Sequence, residues 1–282
     1  MAGDRAPIVL LHGFWHGTWC WAGVIEDLAA RSRVCAAVEM AGHGLHAQHP
    51  ASAARTSPRH DEFATEPSPV GHVTLDAAAD LLVAQLRRIG QGRPCVLVAH
   101  SMGGTVATAA IQRAPELIAH AVYVCAFMPG SGTPAAAYIN SAENAGELVG
   151  PHLRADPTAI GALRLDPRSA DVTYTAGIRE CFYNDVEPGP AAAAMALLMT
   201  DAPLGIAGGT TILDAKAWGT VPRTSVYCAR DNAIRPPLQR RMIAEADLAF
   251  PRNPTTVVEL DASHSPFLSR PGELADIIHS YG

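Results

Sequence analysis

The sequence predicts an α/β fold: a mostly parallel sheet of roughly six strands, helices on both faces, and a cap inserted between the fourth and fifth strands. Three observations predict it. Short apolar runs alternate with helical patterns along most of the chain. Those runs are continuously apolar, as strands buried on both faces are, and do not alternate as half-exposed strands do. The alternation is suspended over residues 128–219, which turn irregular. The expected division is therefore a core of residues 1–127 and 220–282, with a loop insertion at about 45–73, and a cap of residues 128–219.

Ile8–Leu11 is the first strand, ending in the turn His12-Gly13. Thr18–Ala30 reads as a helix, with Trp21, Val24, Ile25 and Leu28 at helical spacing and Thr18 as a cap. Val34–Val38 is the second strand. Residues 45–73 carry Pro50, Pro58, Pro67 and Pro69 with little periodicity, which predicts a long surface loop. Thr74 caps a helix to about Ile89, whose Leu75, Ala78, Ala79, Leu82 and Leu86 share one face. Pro94–Ala99 is the third strand, followed by His100-Ser101-Met102-Gly103-Gly104 and a helix from Thr105 to about Arg113. Ala121–Ala126 is the fourth strand. The cap holds helical patches near Ala135–Ile139, Ala176–Tyr183 and Ala191–Met199. Val221–Ala229 and Thr255–Leu260 are the last strands, and Pro236–Ala246 and Pro266–Tyr281 the last helices.

The chain of 282 residues is 48% hydrophobic and 17% charged, a globular balance that excludes a disordered chain. Its net charge of −6 argues against nucleic acid and anionic membranes as partners, since both require a basic face. The six cysteines lack C-x-x-C or zinc-ligand spacing, and four of them sit in strand-like runs, so they read as buried thiols. The five-residue run Pro7–Leu11 is too short for a signal peptide, and the longest apolar run, Ala191–Met199, is too short to span a membrane. A cytoplasmic protein is expected.

Ser101 stands at a tight turn between a buried strand and a glycine-opened helix. Such an elbow holds a serine hydroxyl exposed at the edge of the sheet. The residues two before and two after must be small, and they are Ala99 and Gly103. A serine hydroxyl needs a base to become nucleophilic. His264, on the loop after the last strand, lies at the same edge. The base needs an acid to fix its tautomer. Asp231 follows the fifth strand by two residues at that edge. Asp261 is the competitor, but it shares one short loop with His264 and is poorly placed to oppose it. The turn after the fourth strand offers Ala126, Phe127 and Met128, none acidic. Two fixed N–H donors for an oxyanion are expected from the backbone of Met102, at the helix start, and of Phe14, in the first turn.

Residues 7–21 (PIVLLHGFWHGTWCW), AHSMGG at 99–104, AFMP at 126–129, Asp231 and DASH at 261–264 resemble the α/β-hydrolase superfamily. The order Ser101, Asp231, His264 is the order of that superfamily. The H-G-x-x-H-G-x-W-x-W opening is similar to a branch containing plant methylesterases, pyrethroid-type esterases and hydroxynitrile lyases. The resemblance covers the chain except the 45–73 loop. It implies a carboxylic ester hydrolase with Ser101 as nucleophile, His264 as base and Asp231 as its acid, with no cofactor or metal. In the lyases of that branch, a threonine stands where this chain has Gly13 and a lysine where it has Ser265. Both differences point away from cyanohydrin cleavage. The alternatives are a lyase, thioesterase or cyclase reaction on the same triad in a biosynthetic pathway, or a non-catalytic ligand receptor.

Other signals carry less. Trp15, beside the first turn, with His100 and Phe127, is expected to touch a small to medium hydrophobic ester. Trp19 and Trp21 read as core. His43, His46, His49, His60 and His72, with Asp61 and Glu62, are irregularly spaced in a proline-rich stretch. They read as a solvated insertion near the pocket mouth, not as a metal site. A homodimer remains compatible with the sequence.

Overall fold

The computed structural model describes residues 5–54 and 60–281. Pro58 of the expected loop, with its neighbours 55–59, lies outside the described residues, as does the side chain of His60. Among the described residues there are eight strands: β1 (Ile8–Leu11), β2 (Cys35–Val38), β3 (Cys95–His100), β4 (Ile118–Val124), β5 (Ala162–Arg164), β6 (Asp201–Pro203), β7 (Arg223–Cys228) and β8 (Thr256–Leu260). Six form one sheet in the order β2-β1-β3-β4-β7-β8, with every neighbouring pair parallel. Strands β1, β3 and β7 are buried at every position, which explains the apolar runs Ile8–Leu11 and Cys95–Ala99; β7 buries Arg223, Thr224 and Ser225 ahead of its apolar end.

Strand alternation sorts the core into two layers. Val9, Leu11, Leu97 and Ala99 face the helices Leu75–Gly90 and Gly103–Arg113. Ile8, Leu10, Val96 and Val98 face the helices Ala22–Ala30 and Pro271–His279 on the other side. The Leu75–Gly90 helix begins as its sequence predicts. Thr74 Oγ1 accepts the Ala77 N–H at 3.2 Å, and Leu75, Ala78, Ala79, Leu82 and Leu86 are buried on one face.

Several expectations need correction. The expected helix Thr18–Ala30 starts as a 3-10 turn over Thr18–Trp21 before the α-helix Ala22–Ala30. The expected helix Pro266–Tyr281 is two helices, Pro266–Ser269 and Pro271–His279. Each opens on a proline, which lacks the N–H that would continue a preceding helix. The stretch 45–73 is not a plain surface loop. It contains the helix His60–Thr65, buries Phe63 and Val70, and donates Ser68 N–H to Ile160 O at 2.8 Å. One short helix among prolines leaves no periodicity to read.

Between β4 and β7 the chain forms five short helices and the antiparallel pair β5–β6, a pair the apolar pattern does not reveal because each strand has three residues. Arg164 of β5 and Asp201 of β6 make a bidentate, fully buried ion pair at 2.7 Å for each bond. Arg164 also donates to Phe63 O at 2.6 Å and Glu66 O at 2.9 Å, tying the 45–73 stretch to this small sheet. All six cysteines are free thiols. No helix among the described residues is long and apolar enough to cross a membrane.

Candidate active site

The site forms at the carboxyl ends of the parallel strands, where α/β sheets bind ligands. Ser101 directly follows β3 and adopts φ +53°, a left-handed conformation unusual for a residue with a Cβ. Its backbone is fixed on both sides: Ser101 N–H donates to Val124 O at 3.2 Å, and Ser101 O accepts from Phe127 N–H at 3.0 Å. The elbow lies against the first turn, since a Cβ on Gly103 would come within 2.6 Å of His12 O. The demand for a small residue at that position is therefore real.

Ser101 Oγ lies 3.0 Å from His264 Nε2, and His264 Nδ1–H donates to Asp231 Oδ2 at 2.8 Å. The second bond leaves Nε2 as the acceptor that faces the serine hydroxyl. Asp231 is fully buried and its carboxylate is saturated with donors. Oδ1 accepts the N–H groups of Ala233 at 2.7 Å and Ile234 at 2.9 Å, and Oδ2 accepts Gln239 Nε2 at 3.2 Å. Asp261 is exposed and pairs with Arg230 at 2.8 Å, so it does not contact the imidazole.

His264 is held from behind as well. Its carbonyl accepts His100 Nε2–H at 2.8 Å and the Cys125 thiol at 3.3 Å. His100 is fully buried, 4.7 Å from the His264 ring between centroids. Burial, and then the neighbouring His264, hold its pKa well below the ordinary histidine value. His100, Cys125 and His264 form the one group of three close potential metal ligands among the described residues. Its His264 nitrogens already serve Ser101 and Asp231.

Phe14 and Met102 both line the cavity in front of Ser101, and among the described residues neither backbone N–H has an acceptor within the protein. Two unsatisfied donors flanking a serine hydroxyl can receive developing negative charge on a carbonyl oxygen. Trp15, between the two histidine-bearing ends of the first turn, has φ +60°. Its indole N–H donates to Leu163 O at 3.2 Å, and its carbonyl accepts Met199 N–H at 2.8 Å. The segment between β4 and β7 thus grips the first turn directly. His16 adds a third tie, with Nδ1–H on Phe14 O at 2.9 Å and Nε2 accepting Tyr183 O–H at 2.9 Å. Burial holds the His16 pKa down at about 3.

The cavity is about 60 Å³, and most of its wall is apolar, including Phe14, Trp15, Phe127, Leu163 and Phe182. Glu147 also lines it, its carboxylate accepting Val149 N–H at 2.7 Å.

A family model described as the alpha/beta hydrolase family matches residues 8–277, nearly the whole chain. The chain belongs to the alpha/beta hydrolase family. Methylesterase 9 of Arabidopsis thaliana is 28% identical over 276 residues, covering 95% of this chain and 94% of that protein. Esterase PIR7B of rice (Oryza sativa subsp. japonica) is also 28% identical, covering 98% and 96%. Among solved structures, a pyrethroid hydrolase superposes with TM-score 0.77 at 22% identity, covering 98% and 97%. A methylesterase from Arabidopsis superposes with TM-score 0.69 at 21% identity, covering 98% of each chain. The expected family and fold are both found.

In this alpha/beta hydrolase the structure brings together Ser101, His264, Asp231, Phe14, Met102, Trp15 and Phe127. His100 is the exception: it does not line the cavity, because its ring turns behind His264. His43 departs from the solvated insertion expected for it. It is fully buried and accepts Trp15 N–H at 3.3 Å. Among the described residues no part of 45–73 lines the cavity. Sequence reasoning misses Gln239, Leu163 and Glu147, which reach the site only through tertiary packing. Their positions carry no motif that flags them.

Proposed function

We propose that this protein is a serine carboxylic ester hydrolase acting on small to medium hydrophobic esters. The observation that carries the reading is the hydrogen-bonded series Asp231–His264–Ser101 opening onto an apolar cavity. The relatives named methylesterases and esterases support ester hydrolysis as the reaction class.

In this reading His264 Nε2 takes the Ser101 proton as Oγ attacks the ester carbonyl carbon. The carbonyl oxygen becomes an oxyanion held by the N–H groups of Phe14 and Met102. Collapse breaks the C–O bond, and His264 returns the proton to the departing alcohol. An acyl group remains on Ser101. Water then enters, loses its proton to His264 and releases the acid. Asp231 stabilises the imidazolium in both halves. Residues 128–219 act as a cap over the core of residues 1–127 and 220–282, supplying the Leu163 and Phe182 walls that favour an apolar ester. Trp15 and Phe127 contact the substrate; His100 supports His264 from behind.

The test is hydrolysis of p-nitrophenyl acetate, butyrate and octanoate by the wild type and by Ser101→Ala. Turnover that disappears in the variant is the expected result. Equal turnover in both refutes the mechanism, and a folded wild type inert on all three refutes the substrate class.

A further inference from the structure

His12 is fully buried behind the first turn, and both ring nitrogens face oxygen acceptors. Nδ1 lies 2.8 Å from Gly13 O, and Nε2 lies 2.9 Å from Glu39 Oε2. A carbonyl and a carboxylate have no proton to give. A neutral imidazole has one N–H, so one of these contacts would set two lone pairs against each other. A proton on each nitrogen satisfies both. Placing the second proton on Glu39 runs against basicity, since an imidazole ordinarily binds a proton about two pH units more tightly than a carboxylate. Met40 N–H also approaches Nε2, at 3.2 Å. That longer contact suits an unprotonated nitrogen, but it is the weaker of the two and does not offset a carboxylate lone pair at 2.9 Å.

Glu39 is built to stay ionised. Its other oxygen accepts the Thr18 hydroxyl at 2.8 Å and the Thr18 N–H at 3.3 Å. Burial pushes its carboxyl up, and the two Thr18 contacts pull it back down. The other titratable groups around His12 are histidines. The His43 ring centre is 5.5 Å away, and burial keeps His43 and His16 at about 3 and His100 well below the ordinary value. They are neutral near pH 7, which leaves Glu39 as the charge in direct contact.

Gly13 C=O and Phe14 N–H belong to one peptide unit. A cationic donor on that carbonyl fixes the plane of the unit and draws electron density away from its nitrogen. The Phe14 N–H then becomes a stronger donor. We propose that His12 is an imidazolium paired with Glu39, and that it aims and polarises the Gly13–Phe14 peptide whose N–H receives the oxyanion. His12 is a positioning residue in this scheme. Its catalytic half rests on the ester hydrolase reading; its charge does not.

The charge is read by nitrogen-15 NMR of histidine-labelled protein at pH 8, where ordinary surface histidines are neutral. The wild type should show one persistent ring with both nitrogens protonated, absent from the difference spectrum's partner, His12→Asn. Glu39→Gln isolates charge from position. Its amide can donate to Nε2 while Nδ1–H still serves Gly13 O, so the ring should become a single Nδ1–H tautomer. A whole oxyanion donor is worth about 10²–10³ in kcat; here the donor stays and only its polarisation is lost, so kcat should fall about tenfold with KM unchanged. A wild-type spectrum with no doubly protonated ring overturns the proposal, and that spectrum needs no variant to fold. A neutralised His12 in Glu39→Gln with undiminished kcat overturns the polarising role. If the wild type hydrolyses no ester, the esterase reading fails, and the spectrum still decides the charge.

Discussion

Adding one carbon at Gly13 should cripple the site with little unfolding. A Cβ built there lies 2.5 Å from Ser101 Cβ, 3.0 Å from His100 Nδ1 and 3.1 Å from His100 O. Non-bonded carbons rest at about 3.5–4.0 Å, so the first turn and the elbow must separate by on the order of 1 Å. Ser101 cannot yield alone, because its N–H and carbonyl are bonded to Val124 and Phe127. The first turn must move instead, and it carries Phe14 N–H. A misplacement of about 1 Å at reacting groups costs about 10²-fold in rate. Overpacking of this kind costs about 1–3 kcal/mol of stability, which a fully folded domain tolerates. Gly13→Ala should therefore retain a cooperative thermal transition and lose about 10²-fold in kcat/KM on p-nitrophenyl butyrate. Turnover within threefold of wild type would refute the argument that the two turns are in contact.

Three other outcomes follow from the same contacts. Asp231→Asn removes the acceptor that fixes the His264 tautomer, and kcat should fall on the order of 10⁴-fold with KM little changed; a loss under tenfold in steady-state assays contradicts the role. Arg164→Ala strands the buried Asp201 carboxylate and frees the 45–73 stretch from β5, so it should cost about 3–5 kcal/mol in urea unfolding. A loss below 1 kcal/mol would show the pair to be dispensable. His16 and His43 are held at about 3 by burial, below their unfolded value of about 6.5. From pH 6.5 down towards 3 the unfolded chain binds protons that the folded chain refuses, so each histidine should remove about 1.4 kcal/mol of stability per pH unit. Thermal melts at pH 7, 6, 5 and 4 should fall progressively, and a flat series contradicts the burial assignment.

Much of this was legible in the sequence because it rests on local chemistry. Ser101 is marked by the residues around it: an apolar strand before, glycines after and a small residue at 99. Thr74 announces its helix by being a cap followed by an amphipathic run. His264 and Asp231 could be placed because each follows a strand, and all parallel strands deliver their ends to one edge. What the sequence hid is what depends on distance in space. His100 looks like a pocket residue because it adjoins Ser101, yet successive side chains at the elbow point apart and its ring supports His264 instead. His43 sits among prolines and other histidines, which suggests solvent, while its ring packs against Phe14 at 5.6 Å and serves Trp15. The β5–β6 pair is too short for alternation to register. Nothing in the sequence links its Arg164 to Asp201, 37 residues later.

The proposed reaction requires Ser101 Oγ to be the nucleophile. Incubation with a fluorophosphonate, followed by peptide mass spectrometry, tests it most directly. One adduct per chain on the peptide containing Ser101, activity lost in step with labelling, and no adduct in Ser101→Ala are the expected results. An adduct on another residue, or ester turnover that survives full labelling, would contradict it.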